Sequence, residues 1–355
     1  MLSFECDYNN GAHPQVLQHL VDTNNEISPT YGFDRWSEAA REKIKNACRL
    51  PEADIYFLQG GTQANAVVVD SLLRSFEGVV CAVSGHINVH EAGAIEACGH
   101  RVIALKADNG KLSNSDLETF MEVYKNDESR EHVAQPGMVY ITFPTEMGTL
   151  YTAEDISTLY DTCQKYGLPL FIDGARLAYG LAASTDIDLP WLAWHCDAFY
   201  IGGTKCGALC GEAVVFTNHH VPTPRGIFSN IKRHGALSAK GRLAGVQFDA
   251  LFTEDREGIL YFRLGHHAIE KAMQTKELLR EAGFKFFIDS ATNQQFVIIP
   301  NDIVRKLKPH VDFTLWGPYD NEHMLCRFVT SWATTDDDLR QLHDILRWVR
   351  VRNRP

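Results

Sequence analysis

The sequence predicts an α/β fold with a mostly parallel central sheet, helices on both faces and a smaller α+β domain at the carboxyl end. Three observations predict it. Apolar strand-like runs alternate with amphipathic stretches from residue 54 to residue 217, as they do where helices cross between parallel strands. Beyond about residue 252 the alternation gives way to one long helical stretch, three short strands and a closing helix. The 355 residues exceed one ordinary core and suit two domains. The expected division is a large α/β domain over 1–252, with an N-terminal arm over 1–34, and a small domain over 253–355.

The individual elements follow from the spacing of apolar residues. Residues 35–48 have the period of an amphipathic helix. Asp54–Leu58 reads as a strand and Thr62–Phe76 as the helix after it. Val79–Val83, Arg101–Leu105, Gly137–Thr142, Pro169–Ile172 and Ala198–Ile201 are further strands. His90–Cys98, Asn114–Tyr124 and Ala153–Tyr166 are the helices among them. Val214–Thr217 adds a short strand, with antiparallel pairing as an option. In the second domain Glu257–Ala282 is the long helix. Phe296–Ile299, Phe313–Leu315 and Leu325–Thr330 are its strands, and Thr335–Val351 closes the chain. Lys125–His132 is a polar surface loop, and Ser28–Gly32 is a second loop near the start.

Composition narrows the function. With 45% hydrophobic and 22% charged residues the chain is globular. A net charge of -11 argues against nucleic acid and against anionic membranes as partners. No apolar run reaches the ~18 residues of a membrane helix. Acids at Glu5 and Asp7 stand where a targeting peptide carries bases, so a cytoplasmic protein is expected. Nine cysteines without a Cys-x-x-Cys pair argue against a disulfide framework and a cysteine zinc site. Most are expected to be small buried hydrophobes.

Chemistry concentrates at strand ends. Asp173 ends the apolar run Leu170-Phe171-Ile172, at the sheet edge where ligands of open α/β folds collect. Lys205 follows the strand Ala198–Ile201 in Gly202-Gly203-Thr204-Lys205-Cys206-Gly207. A lysine amine and a carboxylate are the two groups that pyridoxal phosphate (PLP) requires, for its aldehyde and its ring nitrogen. Taken alone, Asp173 also suits a helix N-cap, and a lysine in a glycine loop is more often exposed. Gln59-Gly60-Gly61-Thr62 joins a strand to a helix, and a helix start offers free N–H groups to a phosphate. A plain turn capped by Thr62 is the simpler reading. Thr204 offers a further hydroxyl to the phosphate. His86 stands at a strand end, suited to stacking on a cofactor, whereas His90 reads as a helix-surface residue. The pair lacks the His-Glu-x-x-His order, and no metal is expected. Arg176 and Arg327 are candidates for a substrate carboxylate, which guanidinium matches in two-pronged geometry. A structural ion pair is the alternative for each.

In this order the segments resemble the low-specificity L-threonine aldolases, in the β-eliminating lyase group of fold-type-I PLP enzymes. Tyr31-Gly32-Phe33-Asp34 resembles the family's tyrosine-bearing N-terminal loop, and Gly60-Gly61-Thr62-Gln63-Ala64-Asn65 its phosphate turn, with Gly60 where a serine is usual. His86-Ile87 with Glu91-Ala92-Gly93-Ala94 resembles the stacking-histidine segment. Asp173-Gly174-Ala175-Arg176-Leu177 matches the aspartate-arginine motif, Thr204-Lys205 stands at the family's Ser-Lys, and Arg327 at its C-terminal arginine strand. The resemblance implies the aspartate-aminotransferase fold and PLP as cofactor. It implies that Lys205 holds PLP, Asp173 pairs with its nitrogen, His86 stacks on it, and Arg176 and Arg327 bind the carboxylate. It also implies a second active-site histidine at His132. Homodimers or homotetramers with sites at subunit interfaces follow too, with a basic residue near Lys232 or Lys240 reaching a neighbour's phosphate. Cys6 stands where many aldolases hold the carboxylate with a serine, and Pro144-Thr145-Glu146-Met147-Gly148-Thr149 replaces a Glu-Asn-Thr-His segment.

The expected reaction is retro-aldol cleavage of L-threonine or L-allo-threonine to glycine and acetaldehyde, with His86 or a water ordered by His132 as base. The rivals are β-elimination or phenylserine cleavage with PLP, a non-catalytic scaffold, and last a metal hydrolase on His86 and His90.

Overall fold

A computed structural model describes residues 2–351. Seven strands make the central sheet: β1 (Asp54–Leu58), β2 (Glu77–Ala82), β3 (Arg101–Leu105), β4 (Gln135–Thr142), β5 (Leu170–Asp173), β6 (Ala198–Gly202) and β7 (Glu212–Phe216). Their order across the sheet is β1-β7-β6-β5-β4-β2-β3. Only β7 opposes its neighbours; the remaining pairings are parallel. The cause is local. Residues 203–211 are too short for a crossover, which needs about a dozen residues, so β7 must fold straight back along β6.

Side chains alternate between two apolar layers, as the period of a strand requires. Along β5, Leu170 and Ile172 enter a core with Ile44, Leu159 and Leu177. Phe171 enters the other, with Val67, Tyr140 and Tyr200. Helices therefore cover both faces. Helix Arg35–Cys48 forms where the sequence predicts it, started by the buried Asp34, whose carboxylate accepts from the Trp36 and Ser37 N–H groups.

Four antiparallel strands form a second sheet: β8 (Lys285–Ile288), β9 (Gln294–Pro300), β10 (Thr314–Pro318) and β11 (His323–Val329), in the order β8-β9-β11-β10. It shares a core with the helices Leu260–Glu281 and Asp336–Val351. Leu2 and Phe4 belong to that core too. Residues Leu2–Ser3 pair in parallel with Val311–Asp312, and Val329 N–H donates to the Phe4 carbonyl at 2.8 Å.

The strand Lys285–Ile288 is absent from the sequence reading, and three expected helices differ in extent. The helix expected over His90–Cys98 is two short ones, His86–Val89 and Ala94–Ala97, separated where Ala92 and Gly93 take positive φ. The break lets Glu91 turn back to His86. The helix expected to reach Phe76 ends at Leu72. The long helix begins at Leu260 because Glu254–Asp255 and Gly258–Ile259 pair as a hairpin. No described helix is long and apolar enough to cross a membrane.

Candidate active site

The parallel strands end at one edge of the sheet, and five of them deliver residues to a single cleft of about 530 Å³. Past β1 come Gly60, Gly61 and Thr62; past β2, His86; past β4, Glu146; at the tip of β5, Asp173; past β6, Thr204 and Lys205. The second sheet closes the cleft with Gln294, Trp316 and Arg327. Asp173 and Lys205, distant in sequence, thus line the same cavity.

Asp173 is buried and heavily bonded. Tyr140 and Tyr200 each donate a hydroxyl to it at 2.6 Å, Asn65 an amide at 2.9 Å, and Ala175 its N–H at 3.0 Å. Burial pushes the carboxyl up, but His86 and these donors outweigh it and hold it below the ordinary aspartate value. It is therefore an anion, as a protonated pyridine nitrogen needs. Asn65 also donates to Glu91 at 2.7 Å, and Glu91 Oε1 lies 2.6 Å from His86 Nδ1. Burial draws the His86 pKa down, yet Glu91 and Asp173 prevail and hold the ring above the ordinary histidine value.

Lys205 opens on this cleft, with Nζ 5.8 Å from the ring centre of Tyr8. Burial first, then the Arg176 charge, lowers the amine against the pull of Asp7, Asp173 and Glu212. A lowered amine spends more time unprotonated and nucleophilic. Tyr179 fixes the backbone by donating its hydroxyl to the Lys205 carbonyl. Thr204 departs from its expected use. Its hydroxyl donates to Glu212 Oε1 at 2.7 Å and accepts from Gly211 N–H at 3.0 Å, so its one proton is already committed. Glu212, buried beside the lysine loop, also accepts from Gly203 N–H at 3.0 Å, and burial raises its pKa.

The two arginines differ. Arg176 grips Asp7 with Nε at 2.7 Å and Nη2 at 3.0 Å, a buried two-pronged pair supported by Asn293 on the same carboxylate at 2.9 Å. Arg327 has no carboxylate partner among the described residues. It donates only to Gln294 at 3.0 Å and Thr314 at 3.2 Å, above the ring of Trp316 at 4.9 Å. Burial and the repulsion of Arg176 bring its pKa down to about 10. Its Nε and Gln294 Nε2 are buried donors without an acceptor. Such donors are costly unless a ligand meets them.

The donor set fits PLP. The helix Gly61–Leu72 has no side-chain cap bond, leaving its first N–H groups available to a phosphate. A Cβ at Gly61 would meet the Tyr200 hydroxyl at 2.9 Å, whereas one at Gly60 meets nothing within 4 Å. The anionic Asp173 and the lowered Lys205 supply the other two requirements.

Three expected residues lie elsewhere. His132 is exposed in the short turn Arg130–His132, which precedes β4. It sits at the opposite edge of the sheet, a whole strand away from Thr142 at the cleft end of β4. Tyr31 packs under Lys232, whose Nζ is 5.5 Å from its ring centre, with Phe33, Phe228 and Gly241 around a separate hollow. Cys6 is half-buried beside Asp7 and off the cleft wall. Lys232 and Lys240, expected to serve a neighbour's site, lie off this cleft. The sequence reading missed Asp7, Asn65, Glu91, Tyr140, Tyr200, Glu146, Glu212 and Gln294. Period-two alternation had the signal for Tyr140 and Tyr200, since Tyr140 is paired with Phe171, two residues from Asp173. The rest come together only through long-range packing.

Known proteins agree with this architecture. A model of the β-eliminating lyase family matches residues 25–311. A low specificity L-threonine aldolase of Pseudomonas aeruginosa is 25% identical over 355 residues, covering 98% of this chain and 97% of that protein. A solved threonine aldolase structure from Leishmania major superposes with a TM-score of 0.93 at 35% identity, covering 99% of this chain and 100% of that one. An aspartate aminotransferase of Thermus thermophilus, at 14% identity and a TM-score of 0.70, shares the fold. The chain belongs to the β-eliminating lyase family, in the group of PLP-dependent enzymes that includes the low-specificity L-threonine aldolases.

Proposed function

We propose that this protein cleaves L-threonine and L-allo-threonine to glycine and acetaldehyde, as a low-specificity L-threonine aldolase. The observation that carries the reading is one cleft holding an anionic carboxylate, a desolvated amine and a half-buried arginine without an anionic partner among the described residues. Lys205, Asp173, His86 and the Gly60-Gly61-Thr62 turn would hold PLP. When bound, PLP supplies an aldehyde for amines and a cationic ring that withdraws electrons from bonds at Cα. Arg327, with Gln294, takes the substrate carboxylate. Arg176, already gripped by Asp7, bounds that pocket with its positive charge. Asn65, Tyr140 and Tyr200 keep Asp173 anionic and fixed, and Glu91 orients His86.

The test is incubation of the PLP-loaded protein with each threonine isomer. Acetaldehyde and glycine in equal amounts are expected; pyruvate and ammonia would mean β-elimination instead. Lys205→Ala should lose both turnover and the visible absorption of lysine-bound coenzyme, and full activity in that variant would refute its role.

The same reading extends to assembly and location. We infer a cytoplasmic homodimer or homotetramer; the assembly is supported by the exposed apolar residues Tyr31, Phe33 and Phe228, which line one hollow. The proposed division into a large and a small domain at 252/253 has the support of two separate sheets. Light scattering on the purified protein decides the assembly; a monomer at working concentration would end that part.

A further inference from the structure

We propose that Glu146 is the catalytic base that takes the proton from the substrate's β-hydroxyl, an inference that rests on the aldolase reading above. The expected acceptors are poorly suited. His132 lies at the far edge of the sheet. His86 has its Nδ1 taken by Glu91 Oε1 at 2.6 Å, and Glu91 and Asp173 draw the ring toward its cationic form.

Glu146 has what both lack. It lines the cleft with His86, His90 and Trp316, and only 7% of it is exposed. Its Oε1 is occupied, accepting from the Thr142 hydroxyl at 2.6 Å and from His86 N–H at 2.8 Å. Its Oε2 is buried and has no hydrogen-bond partner among the described residues. The two donors hold Oε1 and leave Oε2 free of a donor; Oε2 has no surface open to the empty cleft, so the substrate hydroxyl reaches it as the facing side chains shift. Burial raises its basicity above that of an ordinary carboxylate. The supporting loop is rigid: Thr145 and Thr149 hydroxyls lie 2.6 Å apart, and the Ser290 hydroxyl donates to the Gly148 carbonyl at 2.7 Å. Glu146 stands in the segment where the sequence leaves the aldolase pattern. A carboxylate there takes over work otherwise left to a histidine or a water.

The step balances. The β-hydroxyl O–H bond breaks and its proton passes to Glu146 Oε2. The oxygen's electron pair forms the aldehyde C=O as the Cα–Cβ bond breaks. The bonding pair stays with the glycine portion, which regains one proton at Cα.

Glycine has no β-hydroxyl, which gives the test. Wild-type and Glu146→Gln holoenzymes are compared in L-threonine cleavage, exchange of the glycine Cα hydrogen in heavy water, and coenzyme titration by protein fluorescence. A lost general base costs about 10²- to 10⁴-fold. Threonine cleavage should fall within that range while glycine exchange and coenzyme affinity change less than about threefold, a small part of that loss. Cleavage within threefold of wild type, or an equal loss of cleavage and exchange, overturns the proposal; the equal loss would make Glu146 a support for His86. If Glu146→Gln does not fold, Glu146→Asp is judged by the same split. Failure of the wild-type enzyme to release acetaldehyde defeats the aldolase reading itself and is seen separately.

Discussion

The value of each cleft residue depends on who already holds it. Arg176 and Arg327 look equivalent in the sequence, yet one is paired with Asp7 and the other has no anion. Arg327→Ala should therefore cost about 3 kcal/mol of substrate binding, roughly a hundredfold in kcat/KM. The loss should appear mostly in KM, measured by acetaldehyde release. Asp7→Ala should act differently, lowering the melting temperature with or without PLP. It leaves Arg176 buried and unpaired, a change that costs about 3 to 5 kcal/mol. An unchanged melting temperature would mean that water or a moved side chain compensates. Lys205, Asp173 and Arg327 were legible because each interrupts an apolar or glycine-rich run. Asp7 was not, because its partner stands 169 residues away.

At the scale of elements, strand direction does most of the work. Parallel strands collect their carboxyl ends on one edge, so residues chosen as "just after a strand" converge without any knowledge of register. The same rule shows why His132 lies off this cleft: it precedes its strand. The Gly60-Gly61 turn offers a contrast that tests the phosphate assignment. Gly61→Ala drives a methyl against the hydroxyl by which Tyr200 holds Asp173. Coenzyme affinity should drop about tenfold, a cost of about 1.4 kcal/mol. Gly60→Ser enters open space at the N-cap and should raise the stability of the cofactor-free protein by a few tenths of a kcal/mol. Fluorescence titration and thermal melts check both. The interruption at Ala92–Gly93 was hidden from the sequence because the surrounding residues keep helical spacing.

Across the whole molecule, buried acids pull stability in opposite directions with pH. Asp7 and Asp173 have lowered pKa values in the fold, so their contribution is complete above the ordinary value of 3.8 and disappears as pH falls through the lower folded values. Glu146 and Glu212 have raised values, so the fold prefers them protonated and loses stability as pH climbs above 4.5. The cofactor-free protein should accordingly melt highest on the mildly acidic side. Glu212→Gln should gain melting temperature at alkaline pH relative to wild type, and less at pH 5; an equal gain at both would place the cause outside ionisation. The alternation of strands and helices was readable as pattern, whereas the strand order and these charge balances depend on the packed interior. The N-terminal arm joins both parts of the fold. Residues 2–3 pair with Val311–Asp312, Phe4 is stitched to Val329 of the second sheet, and three positions later Asp7 holds Arg176 beside the central one. A protease that clipped the chain between Phe4 and Asp7 would spare every group proposed to meet the substrate, yet it would cut the tether between clamp and frame. Catalysis would then fail through slackness, with the chemistry still in place.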